Sequence, residues 1–278
     1  MRIISILKRL YNGNTSYIFG RFLSVRKGYS LYKNLANTKT IRFSLKESTL
    51  FDKINVQKSL KALQKDAVAF GFDLPSNLVC DIEKFAQSCE FKADNVANTF
   101  YYKDIHKGRL ADGTAIAIAY AVAPESCDSI QKILHDPILY QTVAQYLGYK
   151  PNNYELRLYY SVVSALTDTE RRQRNQTIDY HFDVHAFNFC YAHFYITDKD
   201  KDSGAHALIK KSHVDKPFNF LLNSARRSND EVFTYYKKDD ELLIEAKAGS
   251  GFLEDTSCYH KALAPISQDR LLLQIRFF

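Results

Sequence analysis

The sequence has no tryptophan, a single methionine, and no two cysteines spaced C-x-x-C. Its five cysteines, Cys80, Cys89, Cys127, Cys190 and Cys258, are odd in number. A disulfide framework and a cysteine-based structural zinc site are therefore disfavoured, and a reducing compartment fits. The thiols are expected to be small buried hydrophobes. The chain shows no internal repeat and no low-complexity linker, which speaks against a solenoid or a string of tethered modules. The N-terminal "MRIISILKRLY" is too short to span a bilayer, and Lys8-Arg9 interrupts any signal-peptide core.

Acid is missing from the first 46 residues. Residues 1–50 hold ten Lys or Arg against Glu47 alone, whereas the remaining chain holds 28 basic and 30 acidic residues. The net charge of +7 thus belongs to the N-terminal segment. A nucleic-acid enzyme spreads basic residues over its folded body, so no nucleic-acid partner is expected. In residues 1–11, Ile3, Leu7 and Leu10 can share the apolar side of a helix, with Arg2 and Arg9 among its basic residues. Three readings stay open. Residues 1–30 can contact an anionic membrane surface peripherally, aided by Arg21, Arg26 and Lys27. They can be an organelle transit peptide, or an extension packed on the domain. The expected location is cytoplasmic, with peripheral membrane association left open and organelle targeting as the alternative. The chain from about residue 63 onward is expected to work without this segment.

What the chain does have is 46% apolar residues, 19 Tyr and 19 Phe, enough for a sizeable core and a lean towards strands. The length suits one domain over 51–278 behind a basic extension over 1–50. "LQKDAVAFGFDLP" (63–75) reads as a strand, and "SNLVCDIEKFAQSCEF" as a helix capped by Ser76. "TAIAIAYAVA" is a buried strand or helix segment. A long helical region follows, broken at Pro137 and stopped at Gly148. From residue 154 the pattern becomes short strands: "YELRLYYSVV", "FNFCYAHFYIT", "HALI", "EVFTYY", "ELLIEA", "GFLED" and "RLLLQIRFF". In the last, Leu271, Leu273, Ile275 and Phe277 share one face, and Arg270, Leu272, Gln274 and Arg276 the other. Helices followed by many short strands predict an α+β double-sheet jelly roll with helices packed against it.

Within "IDYHFDVHAFNF" (178–189), which reads as a buried strand, lies the triplet His181-x-Asp183. Two histidines and one carboxylate can occupy one face of an octahedral metal and leave three positions open, as in non-haem Fe(II) oxygenases. The second histidine would come from a distant strand, and His260 in "DTSCYHKA" is placed for it. An oxo-acid co-substrate then needs a cation for its far carboxylate, and the planar fork of arginine suits that task. Arg270 opens the last strand ten residues later, with Arg276 on the same face as the alternative. His185, on the same side of that strand, is expected to be structural, with support of the metal ligands or a substrate contact as the alternative. Arg157 and Tyr159 are candidate contacts to the co-substrate. "TDTERRQRNQT" (167–177) reads as a solvated loop or a lid. A zinc hydrolase built on His181 and His185 would need a helix where the residues read as strand.

These pieces arrive in the order of a known family. "AFGFDLPSNLVCDIEKF", "LHDPILYQTVAQYLGYKP", "YHFDVH", "ITDKDKDSGAHALIKKSH" and "GSGFLEDTSCYHKALAPISQDRLLLQIRF" together resemble the phytanoyl-CoA dioxygenase-like family of Fe(II)/2-oxoglutarate oxygenases. The resemblance covers about residues 63 to 278. It implies a double-stranded β-helix (cupin-like) core, Fe(II) held by His181, Asp183 and His260, and 2-oxoglutarate held by Arg270 with Tyr159 nearby. It also implies O2 as co-substrate and hydroxylation of a small-molecule or lipid-linked substrate, with release of succinate and CO2. The sequence departs from the family at Lys210-Lys211-Ser212-His213, at Tyr180 and at Ala262. A catalytically inactive jelly-roll binding module, peripheral to a membrane, is the alternative, against which the complete ligand set argues.

Overall fold

The computed structural model describes residues 15–36, 49–174, 176–198 and 201–278. The amphipathic stretch 1–11 lies outside the described residues. Two helices, Thr15–Phe19 and Leu23–Ala36, form the described part of the extension. Among the described residues no helix is long and apolar enough to cross a membrane.

Four helices precede the main run of strands: Val56–Asp66, Ser76–Ser88, Asp128–Leu134 and Pro137–Leu147. The last starts where Asp136 accepts from the amides of Ile138 and Leu139, with Pro137 at the first helical position, where its missing N–H has no partner to lose. It stops at Gly148, whose φ of 80° is open to glycine without strain.

The strands are β1 (Val68–Phe70), β2 (Glu90–Lys92), β3 (Phe100–Tyr101), β4 (Ile118–Ala121), β5 (Tyr154–Ser161), β6 (Cys190–Tyr195), β7 (His206–Ile209), β8 (Glu241–Ile244), β9 (Gly251–Glu254), β10 (His260–Ala262) and β11 (Arg270–Phe277). They form an eight-stranded sheet, β1-β9-β6-β11-β5-β4-β2-β3, and a three-stranded sheet, β10-β7-β8. Every pairing is antiparallel. This is a cupin-like jelly roll of α+β class, as the strand pattern implies.

The two faces of β11 divide the labour. Leu271, Leu273, Ile275 and Phe277 join the main core with Leu158, Phe194 and helix residues such as Ile82 and Val143. Arg270, Leu272, Gln274 and Arg276 face the opposite way into a cavity of ≈ 130 Å³. Leu272 lies opposite Tyr159 on β5 and Tyr195 on β6, and both tyrosines line the same cavity.

Several local expectations are corrected. Residues 63–66 finish a helix, and only Val68–Phe70 is strand. Pro75, not Ser76, occupies the cap position of the next helix, and no side chain caps it. "EVFTYY" is not a strand: Asn229–Phe233 is helical because Ser228 and Glu231 form a reciprocal capping box. "IDYHFDVHAFNF" contributes bridges at Tyr180 and His181, not a continuous strand, and β6 begins only at Cys190. "TAIAIAYAVA" resolves to a strand over Ile118–Ala121.

Candidate metal centre

His181 and His260 sit directly opposite each other across a two-residue antiparallel bridge. Each amide donates to the other's carbonyl, at 2.9 and 2.8 Å. Such a mutually bonded pair points its side chains to one side, and the ring centroids lie 4.2 Å apart. Two residues on, the Asp183 amide donates to the Thr256 carbonyl at 2.8 Å, which keeps Asp183 beside the same ribbon. The main chain therefore brings together residues 79 apart in sequence.

The donor atoms converge. His181 Nε2 is 3.9 Å from Asp183 Oδ1, and His260 Nε2 is 3.8 Å from Asp183 Oδ2. One donor atom from each of the three residues lies within 4.8 Å of the others. Each Nδ1 faces a backbone carbonyl: Asp179 at 3.2 Å for His181, Cys258 at 3.0 Å for His260. A carbonyl only accepts, so each Nδ1 carries a hydrogen, and in the neutral ring this leaves Nε2 as the free ligand atom. Burial, reinforced by His260, pushes His181 down to about 3, so its imidazole is neutral at physiological pH. Burial raises the Asp183 carboxyl, but the fields of His260, His181 and Arg276 outweigh it and hold the group below its usual range. Two imidazole nitrogens and one carboxylate aimed at a common point form a donor set that a divalent cation fits.

Arg270 is in the same cavity, buried at the start of β11. Its Nη2 donates to Ser161 Oγ at 2.8 Å, its cross-strand neighbour on β5, and its Nη1 donates to the Gly204 carbonyl. Gly204 has φ +84°, and an added Cβ would meet the Leu263 carbonyl at 2.8 Å. The turn that offers this carbonyl to Arg270 therefore needs glycine. Among the described residues no acid pairs with Arg270, and its Nε has no hydrogen-bond partner. Arg276 differs: Nη1 lies 3.3 Å from Glu155 Oε2, Nε donates to Gln274 Oε1, and the guanidinium stacks 4.9 Å from the Tyr191 ring. A buried guanidinium without a counter-ion is the natural partner for a ligand carboxylate, and Arg270 meets that description better than Arg276.

The other sequence candidates separate. Tyr159 lines the cavity, its ring 5.5 Å from that of Tyr120. Arg157 also lines it but pairs with Glu155 at 2.7 Å. His185 does not line it; its ring packs on Phe278 at 4.5 Å and Nε2 is 3.7 Å from Glu155, in keeping with a structural part. Within 167–177, Asp168–Gln173 is a helix capped by Thr167. Buried Arg171 ties it to the carbonyls of Leu166 and Ser164, and Gln176 and Thr177 reach the cavity.

Sequence reasoning missed a second buried cluster behind His260. Glu254 is fully buried, and its carboxylate meets His206 Nε2 at 2.9 Å and His193 Nε2 at 3.4 Å. Cys258 Sγ donates to it at 3.3 Å, and His260 Nδ1 is 4.0 Å away. Burial opposes its ionisation, but the imidazoles, His206 first, hold it well below the usual carboxylate range. Burial pushes His193 down to about 3. The available signal was alternation: in "GFLED", Glu254 shares a face with Phe252, which packs on both His193 and His206. The N-terminal basic residues are also reassigned. Arg26 is buried inside the protein, and Arg21 donates to the carbonyls of Leu221 and Asn223. Neither is free for the lipid contact expected of it.

No family model and no curated protein sequence matches the chain. Solved structures do match in fold. The non-haem α-ketoglutarate-dependent epimerase SnoN from nogalamycin biosynthesis aligns with a TM-score of 0.52 at 13% identity, over 80% of this chain and 82% of its own. HygX from Streptomyces hygroscopicus, with nickel and 2-oxoglutarate bound, aligns with a TM-score of 0.52 at 11% identity, over 81% and 87%. EvdO2 from Micromonospora carbonacea var. aurantiaca, complexed with 2-oxoglutarate, aligns with a TM-score of 0.52 at 11% identity, over 83% and 93%. These likenesses establish the cupin-like fold. The finer resemblance to the phytanoyl-CoA dioxygenase-like family has no matching family model behind it.

Proposed function

We propose that this chain is an Fe(II)- and 2-oxoglutarate-dependent oxygenase that oxidises a C–H bond of a small-molecule or lipid-linked substrate. One observation carries the reading. Two imidazoles presenting Nε2 and a carboxylate converge in a cavity that also holds a buried arginine with no acid partner among the described residues. In this reading His181, Asp183 and His260 hold the metal, and Arg270 receives the distal carboxylate of 2-oxoglutarate with Ser161 beside it. Fe(II) with 2-oxoglutarate and O2 supplies the oxidising power, and succinate and CO2 are released. The protein's own part is placement. The 181–260 bridge fixes both imidazoles, the Asp179 and Cys258 carbonyls fix their tautomers, and β5, β6 and β11 wall the cavity beside them. Tyr159, which lines the same cavity, is the second residue assigned to the co-substrate in this reading.

SnoN, an epimerase on the same fold, supports leaving the fate of the C–H bond open between hydroxylation and inversion. Hydroxylation takes up the second oxygen atom. Inversion leaves the substrate's oxidation state unchanged and needs an external two-electron reductant, ascorbate in the assay, to take that atom to water. The test is succinate formation from 2-oxoglutarate with Fe(II), screened against a metabolite panel, with product mass separating a gained oxygen from an unchanged composition. Asp183→Ala should abolish metal binding and succinate formation while the protein still unfolds cooperatively. Succinate production by that variant at the parent rate would reject the assignment.

A further inference from the structure

Helix Leu23–Ala36 belongs by sequence to the basic extension, yet one of its side chains reaches the loop that carries His260. Arg26 is 4% exposed. Its Nε and Nη2 donate to Asn188 Oδ1 at 3.1 and 2.8 Å, Nη2 lies 2.8 Å from Asp255 Oδ2, and Nη1 donates to Ser257 Oγ. The Tyr146 hydroxyl donates to the same Asp255 oxygen, and the Ser257 amide donates to the other at 3.0 Å. Asp255 and Ser257 begin the segment 255–260, which ends on His260.

The rest of that segment is fastened from within the domain. Lys216 Nζ donates to the Ser257 carbonyl, and the Tyr259 amide donates to Ser212 Oγ at 2.7 Å. The cation that meets Asp255, however, comes from the N-terminal helix. Without it Asp255 would remain buried with its ion pair gone. A buried charge left unpaired draws water or moves towards solvent, and any movement of Asp255 carries the turn that leads to His260.

We propose that Arg26 is a positioning residue: it holds the 255–260 segment, and with it His260, in the place where the metal centre needs it. The metal part of this statement rests on the function proposed above. The N-terminal helix is then a working part of the site whatever else its basic neighbours do.

The test uses the full chain with Arg26→Met, Arg26→Lys and Lys27→Ala, the last an exposed residue on the same helix. Amide hydrogen exchange is followed in the metal-free protein over residues 254–262, with strand β11 as internal reference. Ni(II) affinity is measured by titration calorimetry. Arg26→Met should speed exchange over 254–262 by about tenfold while β11 stays within about twofold, because the loosening is local. It should weaken Ni(II) by about tenfold, the range seen when groups that orient metal ligands are removed. Arg26→Lys keeps the charge but not the fork, so both effects should be about threefold. Lys27→Ala should change neither. Unchanged exchange and affinity in Arg26→Met would overturn the proposal, and so would equal acceleration in β11, which would mean general destabilisation. If Arg26→Met does not fold, Arg26→Lys decides by the same criteria. A parent protein that binds no Ni(II) would sink the metal reading, and the exchange data alone would then decide whether Arg26 holds the loop.

Discussion

Arg270→Ala offers a direct measure of whether the unpaired guanidinium serves a ligand. In the parent, the group makes two hydrogen bonds within the protein, to Ser161 and Gly204, and keeps Nε unused. A carboxylate entering beside it would gain two charge-assisted bonds of about 1.5–3 kcal/mol each. Their loss, about 3–6 kcal/mol, weakens 2-oxoglutarate by roughly 10²–10⁴-fold. Thermal unfolding of the Fe(II)-loaded, anaerobic protein reads this without turnover. At 2-oxoglutarate about 100 times the parent Kd, ligand stabilisation is about 2.7 kcal/mol. For a chain of this size that raises Tm by roughly 5–10 °C. At the same concentration the variant gains at most about 0.4 kcal/mol, or roughly 1 °C. Each protein is compared with and without ligand, so the variant's own Tm cancels. Arg276→Ala should lose less than about tenfold, because Glu155 and Gln274 already occupy that guanidinium and any ligand would compete with them. Full ligand stabilisation retained in Arg270→Ala would refute the reasoning, and the reverse order of the two variants would move the clamp to Arg276.

Three further outcomes follow from the packing. Burial opposes ionisation of Asp255, but Arg26, with His213 and Tyr146 nearby, holds its carboxyl well below the usual range. A depressed acid contributes stability that is present above its unfolded pKa, about 3.9, and is lost as pH falls through the folded value. Breaking such a pair costs about 3–5 kcal/mol, and in Arg26→Met burial should raise the Asp255 pKa instead. The Tm gap between parent and Arg26→Met should therefore be widest near neutrality and shrink on acidification towards about pH 4; a gap constant with pH would contradict it. Gly251→Ala would set a Cβ 2.1 Å from the Phe72 carbonyl and 2.6 Å from the Phe194 ring, so a loss of about 1–3 kcal/mol is expected in denaturant unfolding. A chain starting at residue 31 lacks Arg26 and, against the sequence-based expectation, should bind metal more weakly than the full chain; equal titration curves would show the helix to be dispensable.

The sequence made some parts of this legible because they obey short-range rules. The alternation of β11 put Arg270 and Leu271 on opposite faces, and Pro137 and Gly148 bounded a helix, each through the conformations available to one residue. His181 and His260 could be paired only through knowledge of a ligand pattern, since the bridge joining them is long-range. Glu254 and Asp255 were hidden because a buried carboxylate in "GFLED" becomes intelligible only with its partners. Those partners, His193, His206 and Arg26, come from other strands and from a helix more than two hundred residues away. "EVFTYY" misled because β-branched and aromatic content suggested strand, while the capping pair Ser228 and Glu231, two residues outside the apolar cluster, favoured helix.

The neighbours Glu254 and Asp255 face opposite sides of one extended chain, one towards histidines and the other towards Arg26. Inserting or deleting a single residue at this point would exchange those environments, leaving one carboxylate without its imidazoles and the other without its guanidinium. The length of this segment is thus frozen by its chemistry, much as a keyed shaft admits one orientation. Diversification towards new substrates has to come from elsewhere on the rim. Residues 176–178 and 263–265 border the cavity without belonging to either buried cluster, so length and side-chain changes there can reshape its mouth while the machinery beneath stays in register. A library aimed at altered selectivity belongs in those two segments.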